Sequence, residues 1–211
     1  MKVKLLNLEN TKSETIDVSD KILKHKINYK LIKSVIDWQL NHLKPRTAKT
    51  KQKNEIKGST KKIVPQKGSG GARHASRKAP IFVGGGVAHG PKGAVYKIKK
   101  INKKVRKLAL AHTLSKKNSD NNLYVLSDVK KEIKKTKEFN NFLIKNNLLN
   151  VIIISDLETL KNINKSVRNI KNLKIINDAG ANIYDMMKYK NVLLTQSSVK
   201  NLEKRILNEK N

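Results

Sequence analysis

Apolar and polar positions divide this chain into three stretches of different period. At the amino-terminal end, "VKLLNL" (3–8) and "ETIDV" (14–18) are short β-type runs joined by the polar turn "ENTKS". Ser19 and Asp20 then offer caps for helical sequence. From Tyr29 the residues Ile32, Val35, Ile36, Leu40 and Leu43 keep a helical spacing that stops before Pro45. Trp38, the single tryptophan, lies on this helix, where core or groove packing is its expected use.

Regular patterning returns late in the chain. "YKIKK" (96–100) leads into "NKKVRKLALAHTLSKK" (102–117), whose Val105, Leu108, Ala111 and Leu114 predict an apolar seam flanked by lysines. Four strands follow: "LYVLS" (123–127), "VIIIS" (151–155), "LKIIN" (173–177) and "VLLT" (192–195). Helical stretches fall at about 134–146, 157–169, 181–189 and 197–208. Solid apolar strands separated by helix-length segments predict an α/β fold, a mostly parallel sheet with helices on both faces.

Between these regions the pattern fails. All four prolines and nine of the ten glycines lie between Pro45 and Gly93, and some fifty residues pass without a helical or strand period. Inside a compact domain such a length is functional or disordered. The expected organisation is therefore a globular α/β domain made of residues 1–43 and 94–211, with 44–93 inserted as a long extended basic loop.

Charge sharpens that boundary. The net charge of +31 is a weak signal alone, because 41 lysines against 6 arginines could reflect an AT-rich genome. Its distribution is more telling: residues 44–93 carry 13 basic side chains and one acidic, and 94–119 carry nine and none. Such a block repels itself and seeks a polyanion. No run approaches the roughly eighteen apolar residues of a membrane span. The start shows no secretory or transit pattern. Without cysteine there is no disulfide, thiolate metal site or Cys nucleophile. A cytoplasmic or organelle-matrix setting is expected.

Catalytic readings find little support. "GSGGAR" places Arg73 where a dinucleotide fingerprint needs its third glycine, and "GGGVAHGPKG" misses the spacing and hydroxyl of a phosphate loop. The histidines (25, 42, 74, 89, 112) show no metal-ligand spacing. His74 and His89 are expected to face RNA, and His112 to sit at a helix edge. "SDLE" (155–158) and "NDAG" (177–180) read as helix caps and turns. No enzyme activity, cofactor or metal is expected.

RNA gives the insert a purpose. Glycines let backbone approach backbone or phosphate, prolines hold the chain extended, and cations release counterions from phosphate. Arg73, Arg77 and Lys78 suit phosphate or base stacking. Ile81 and Phe82 supply a small apolar wedge. The expectation is an arm that orders on RNA.

The run "KPRTAKTKQKNEIKGSTKKIVPQKGSGGARHASRKAPIFVGGGVAHGPKG" (44–93) resembles the long loop of the large-subunit ribosomal protein four family, bacterial type. "KKVRKLALAHTLSKK" is similar to that family's helix after the loop, and the order of elements agrees across essentially the whole chain. The resemblance implies a structural, primary rRNA-binding protein acting early in subunit assembly, in the cytoplasmic ribosome or that of an organelle. Its loop would line the nascent-polypeptide exit tunnel, with a tip of Gln66, Lys67, Gly68, Ser69, Gly70 and Gly71. Basic side chains then expected on rRNA are Arg46, Lys49, Lys51, Lys53, Lys61, Lys62, Lys67, Arg73, His74, Arg77, Lys78, Lys92, Lys97, Lys99, Lys103 and Arg106.

Implied partners are large-subunit rRNA, neighbouring ribosomal proteins and the nascent chain, with no membrane and no homo-oligomer. Two departures stand out. Ile63-Val64-Pro65 replaces the family's usual aromatic–basic pair before the glutamine, and Gly71 stands where arginine is usual. Lys67 is then the leading tunnel-facing charge. The competing reading is an α/β regulator outside the ribosome that binds nucleotide or nucleic acid.

Overall fold

Alternate residues of the central strands belong to two different cores. The computed structural model describes residues 1–8, 14–44, 46–93, 100–129, 131–133 and 135–207. They fall into two compact units, Met1–Asn41 with Lys100–Asn211, and His42–Lys99. The first unit is built on strands β1 (Lys2–Leu6), β2 (Glu14–Asp17), β3 (Leu123–Leu126), β4 (Val151–Ser155), β5 (Leu173–Asn177) and β6 (Asn191–Thr195). Its helices are α1 (Asp20–Leu23), α2 (Tyr29–Leu43), α3 (Lys103–Ser119), α4 (Thr136–Lys145), α5 (Leu157–Val167), α6 (Ile183–Lys188) and α7 (Gln196–Leu207). The strands lie in the order β2-β1-β3-β6-β4-β5. Only the β1–β2 pair is antiparallel.

The period-2 geometry of strands explains the two cores. Val125, Ile152, Ile154, Val192 and Leu194 point to a face covered by Val35 of α2, Ala109, Leu110 and Leu114 of α3, Met186 of α6 and Leu202 of α7. The intervening Leu126, Val151, Ile153 and Leu193 meet Phe139 and Phe142 of α4 and Ile163 and Val167 of α5. Every residue of β4 and β6 is buried. Each such Ile, Val or Leu contributes about 1.5–3 kcal/mol by leaving water. The expected mixed α/β architecture is therefore present, and its strands match the apolar runs to within two residues or so at either end.

Local details depart from the sequence reading. Ser19 precedes α1, yet its side chain makes no capping bond; its N–H donates instead to Glu203 Oε1 at 3.1 Å. Asp156, within "SDLE", does cap α5 by accepting from the Thr159 N–H. "NDAG" forms a single 3₁₀ turn, Asp178–Gly180. The seam expected along α3 is displaced: Leu108 is 41% exposed, whereas Ala109, Leu110, Ala111 and Leu114 are buried. Leu43 is likewise exposed, at 70%. His112 is buried, not at a helix edge, with its ring 5.3 Å from that of His25. Neighbouring apolar packing and the second imidazole both lower its pKa, burial being the larger cause. The turn "ENTKS" and most of "YKIKK" lie outside the described residues. Among those described, no helix is long and apolar enough to cross a membrane.

Candidate nucleic-acid interface

Residues 46–92 contain one short 3₁₀ turn, Lys53–Glu55, and otherwise no helix or strand. Order comes from hydrogen bonds that join its outgoing and returning halves. Gly93 N–H donates to Ala48 O at 2.8 Å, Thr50 N–H to Pro91 O at 2.9 Å, and Val87 N–H to Lys51 O at 2.9 Å. A Lys49–Lys92 antiparallel bridge lies among them. Further along, Ile63 N–H reaches Ala75 O at 3.0 Å. The run 76–86 is a series of turns, closed by Gly86 N–H donating to Lys78 O at 3.0 Å.

Glycines divide by use. A Cβ on Gly86 would stand 2.3 Å from Lys53 N, and one on Gly85 would stand 2.0 Å from Ala79 O, so both are required for backbone to meet backbone. At Gly68, Gly70 and Gly71 a Cβ would meet nothing within 4 Å. Those glycines are open to whatever the loop contacts. Neither glycine cluster sits between a strand and a helix, the context that nucleotide-binding motifs need.

The stretch Gln66–Gly71 is exposed throughout, and Lys62 Nζ donates to Gln66 Oε1. Basic side chains expected on rRNA in this loop are exposed, apart from the partly buried His74 and Lys78. A cavity of about 420 Å³ is lined by Lys53, Lys62, Gln66, Arg73 and His74, among others. The His74 ring packs edge-on against Phe82 at 5.1 Å, with its Nδ1 buried and unpartnered. Phe82 is thus half of an internal contact; of the expected wedge only Ile81, 71% exposed, stands outward, joined by Val83.

Two further expected contacts, Lys103 and Arg106, lie on α3 in the other unit, the first exposed and the second partly buried. Lys97 and Lys99 lie outside the described residues. Sequence reading missed Arg205, whose Nη1 donates to the Asp178 and Ala179 carbonyls at 3.0 and 3.2 Å. An isolated arginine near a chain end carries no sequence signal; only the tertiary fold brings α7 beside α3. Packing around its head group lowers the Arg205 pKa, Asp178 opposes this, and Arg106 adds to it. Among the described residues no cluster of three His, Cys, Asp or Glu side chains could hold a metal.

Comparison with known proteins gives a consistent result. The family described as "Ribosomal protein L4/L1 family" matches residues 16–205. The chain is 52% identical over 206 residues to large ribosomal subunit protein uL4 of Pelagibacter ubique, covering 97% of this chain and 99% of that protein. It is 39% identical to the uL4 of Rickettsia akari, covering 98% and 100%, and 35% identical to that of Hyphomonas neptunium, covering 97% and 96%.

Proposed function

Because the chain belongs to the ribosomal protein L4/L1 family, it is a structural, non-enzymatic constituent of the ribosome, and we propose that its His42–Lys99 unit binds large-subunit rRNA. Binding occurs early in subunit assembly, in the bacterial cytoplasm, beside neighbouring large-subunit proteins. The open stretch Gln66–Gly71 lines the exit tunnel, and Lys67 is the charge nearest the nascent polypeptide.

One observation carries this reading. The loop's 13 basic side chains in residues 44–93 share a single carboxylate, Glu55, and most of the described ones stand in water. A protein surface gains nothing from such unneutralised charge, whereas a polyphosphate releases counterions to it. Hydrogen bonds between the two halves of the loop support the same reading. They hold cations in fixed relative positions, as needed for contact with a folded RNA, whose single-stranded and irregular regions are recognised by shape and stacking.

A photoreactive side chain at position 67 in translating ribosomes tests the proposal. Cross-links to both large-subunit rRNA and nascent chain are expected. Label confined to unrelated RNA or to other proteins would overturn it.

A further inference from the structure

On the first unit, α2, α3, the Asp178–Gly180 turn and α7 enclose a cleft of about 390 Å³. Lys103, Arg106 and Lys107 enter it from one face of α3, at the i, i+3, i+4 spacing that puts side chains together. Arg205 enters from α7 and Trp38 from α2. Four cations therefore line one small space, and among the described residues no acidic side chain lines it. Asp178 is nearby, but its Oδ1 accepts from the Ala179 N–H at 2.6 Å and its Oδ2 from Asn201 at 2.5 Å.

Three features make this more than crowded lysines. The Arg106 guanidinium lies over the Trp38 ring, 4.9 Å from its centre, in a cation–π contact. Its Nε is buried with no hydrogen-bond partner, a donor that costs free energy until an acceptor arrives. Beneath these side chains α3 begins without a side-chain cap and without an acid in its first turn. Lys103 and Lys104 occupy that first turn, and an anion there would complement both its N–H groups and the positive end of the helix dipole.

We propose that this cleft holds a phosphate of the RNA backbone between Arg106, Arg205 and Lys103, with the Trp38–Arg106 stack as a platform for the adjoining base. Arg205 is oriented for the role by the two carbonyls that accept from its Nη1, leaving its remaining N–H groups for an acceptor. RNA is favoured over an acidic peptide because a guanidinium set over an indole ring suits a base as well as a phosphate, whereas a carboxylate uses only the charge. The inference rests on the reading of the protein as an RNA binder, and it adds a contact on the unit that lacks the basic loop.

Trp38 is the only tryptophan, so its emission reports this cleft directly. The full chain is titrated with protein-free large-subunit rRNA, and binding and emission are followed together at several salt concentrations. Saturable emission change is expected in the wild type. Arg106→Gln with Arg205→Gln is expected to lose that change and roughly tenfold in affinity, with one to two fewer counterions released at about 0.9 each. Lys103→Glu, an exposed change that leaves the fold intact, is expected to weaken binding several-fold. Arg106→Lys keeps the charge but not the stack, and is expected to retain affinity better than it retains the emission change.

Tight rRNA binding with no response from Trp38, or an unaltered response in the double variant, overturns the cleft and leaves the loop reading standing. Failure of the wild-type chain to bind rRNA at all overturns both. Full reproduction of the emission change by inorganic phosphate alone, or by polyglutamate at equal ionic strength, also overturns RNA as the occupant.

Discussion

Lys49 Nζ stands 3.7 Å from Glu55 Oε1, the one carboxylate among residues 44–93. Glu55 also closes its own 3₁₀ turn by accepting from the Gln52 N–H at 3.2 Å. A single acid in so basic a segment therefore serves local geometry. Both partners are largely exposed, and such pairs contribute at most about 1 kcal/mol.

Glu55→Gln keeps an acceptor for the Gln52 N–H while removing the charge. Its expected effect on thermal stability is within about 0.5 kcal/mol. Affinity for large-subunit rRNA is expected to rise slightly, because Lys49 is released to phosphate. Filter binding checks the sign.

Glycine substitutions separate internal packing from the open stretch. Gly86→Ala forces a Cβ to within 2.3 Å of Lys53 N and is expected to break the Gly86–Lys78 and Val87–Lys51 backbone bonds. Gly71→Ala meets open space and leaves them intact. Amide hydrogen exchange at residues 86 and 87 is expected to accelerate at least tenfold in the first variant and to stay unchanged in the second.

Lys117 is buried on α3 and donates from Nζ to the Tyr189 and Lys190 carbonyls at 2.7 and 2.9 Å. Burial lowers its pKa, with Asp120 opposing the shift and Lys116 adding to it. Lys117→Met fills the space but leaves two carbonyls without that donor, at an expected cost of roughly 1.5–3 kcal/mol. Urea unfolding followed by circular dichroism measures it.

His112 sets a pH dependence. Its folded-state pKa is held below the ordinary 6.5, first by burial and then by His25. As pH falls, the unfolded chain binds this proton before the folded one does. Stability is therefore complete above pH 6.5 and declines as pH drops towards the folded value. Melting temperatures between pH 7 and pH 5 are expected to fall for the wild type and to fall less for His112→Phe.

The sequence made the sheet legible because β4 and β6 are apolar at nearly every position, as strands covered on both faces must be. It was less informative on α3. Val105, Leu108, Ala111 and Leu114 fit a helical period, yet the buried face turns towards Ala109 and Leu110, because two small residues and a leucine pack closely where β-strands and α6 approach. Nothing in the residue string says which helix neighbours will claim which stripe. The loop was visible as composition, but its glycines look alike in sequence: a Cβ on Gly86 would stand 2.3 Å from Lys53 N, and one on Gly71 would meet nothing within 4 Å. Trp38, Arg106 and Arg205 are separated by 68 and 99 residues, a convergence that tertiary structure alone produces.

Whether the loop's cations bind rRNA is read from the salt dependence of binding. The full chain is compared with a variant carrying Lys53→Gln, Lys62→Gln, Arg73→Gln and Arg77→Gln, which leaves every residue of the α2–α3–α7 cleft unchanged. For the wild type, the logarithm of affinity is expected to fall linearly with the logarithm of salt; the variant's slope is expected to be shallower by about 3.6, near 0.9 for each lost phosphate contact, with affinity at least tenfold weaker. Equal slopes and equal affinities for the two proteins would contradict the account.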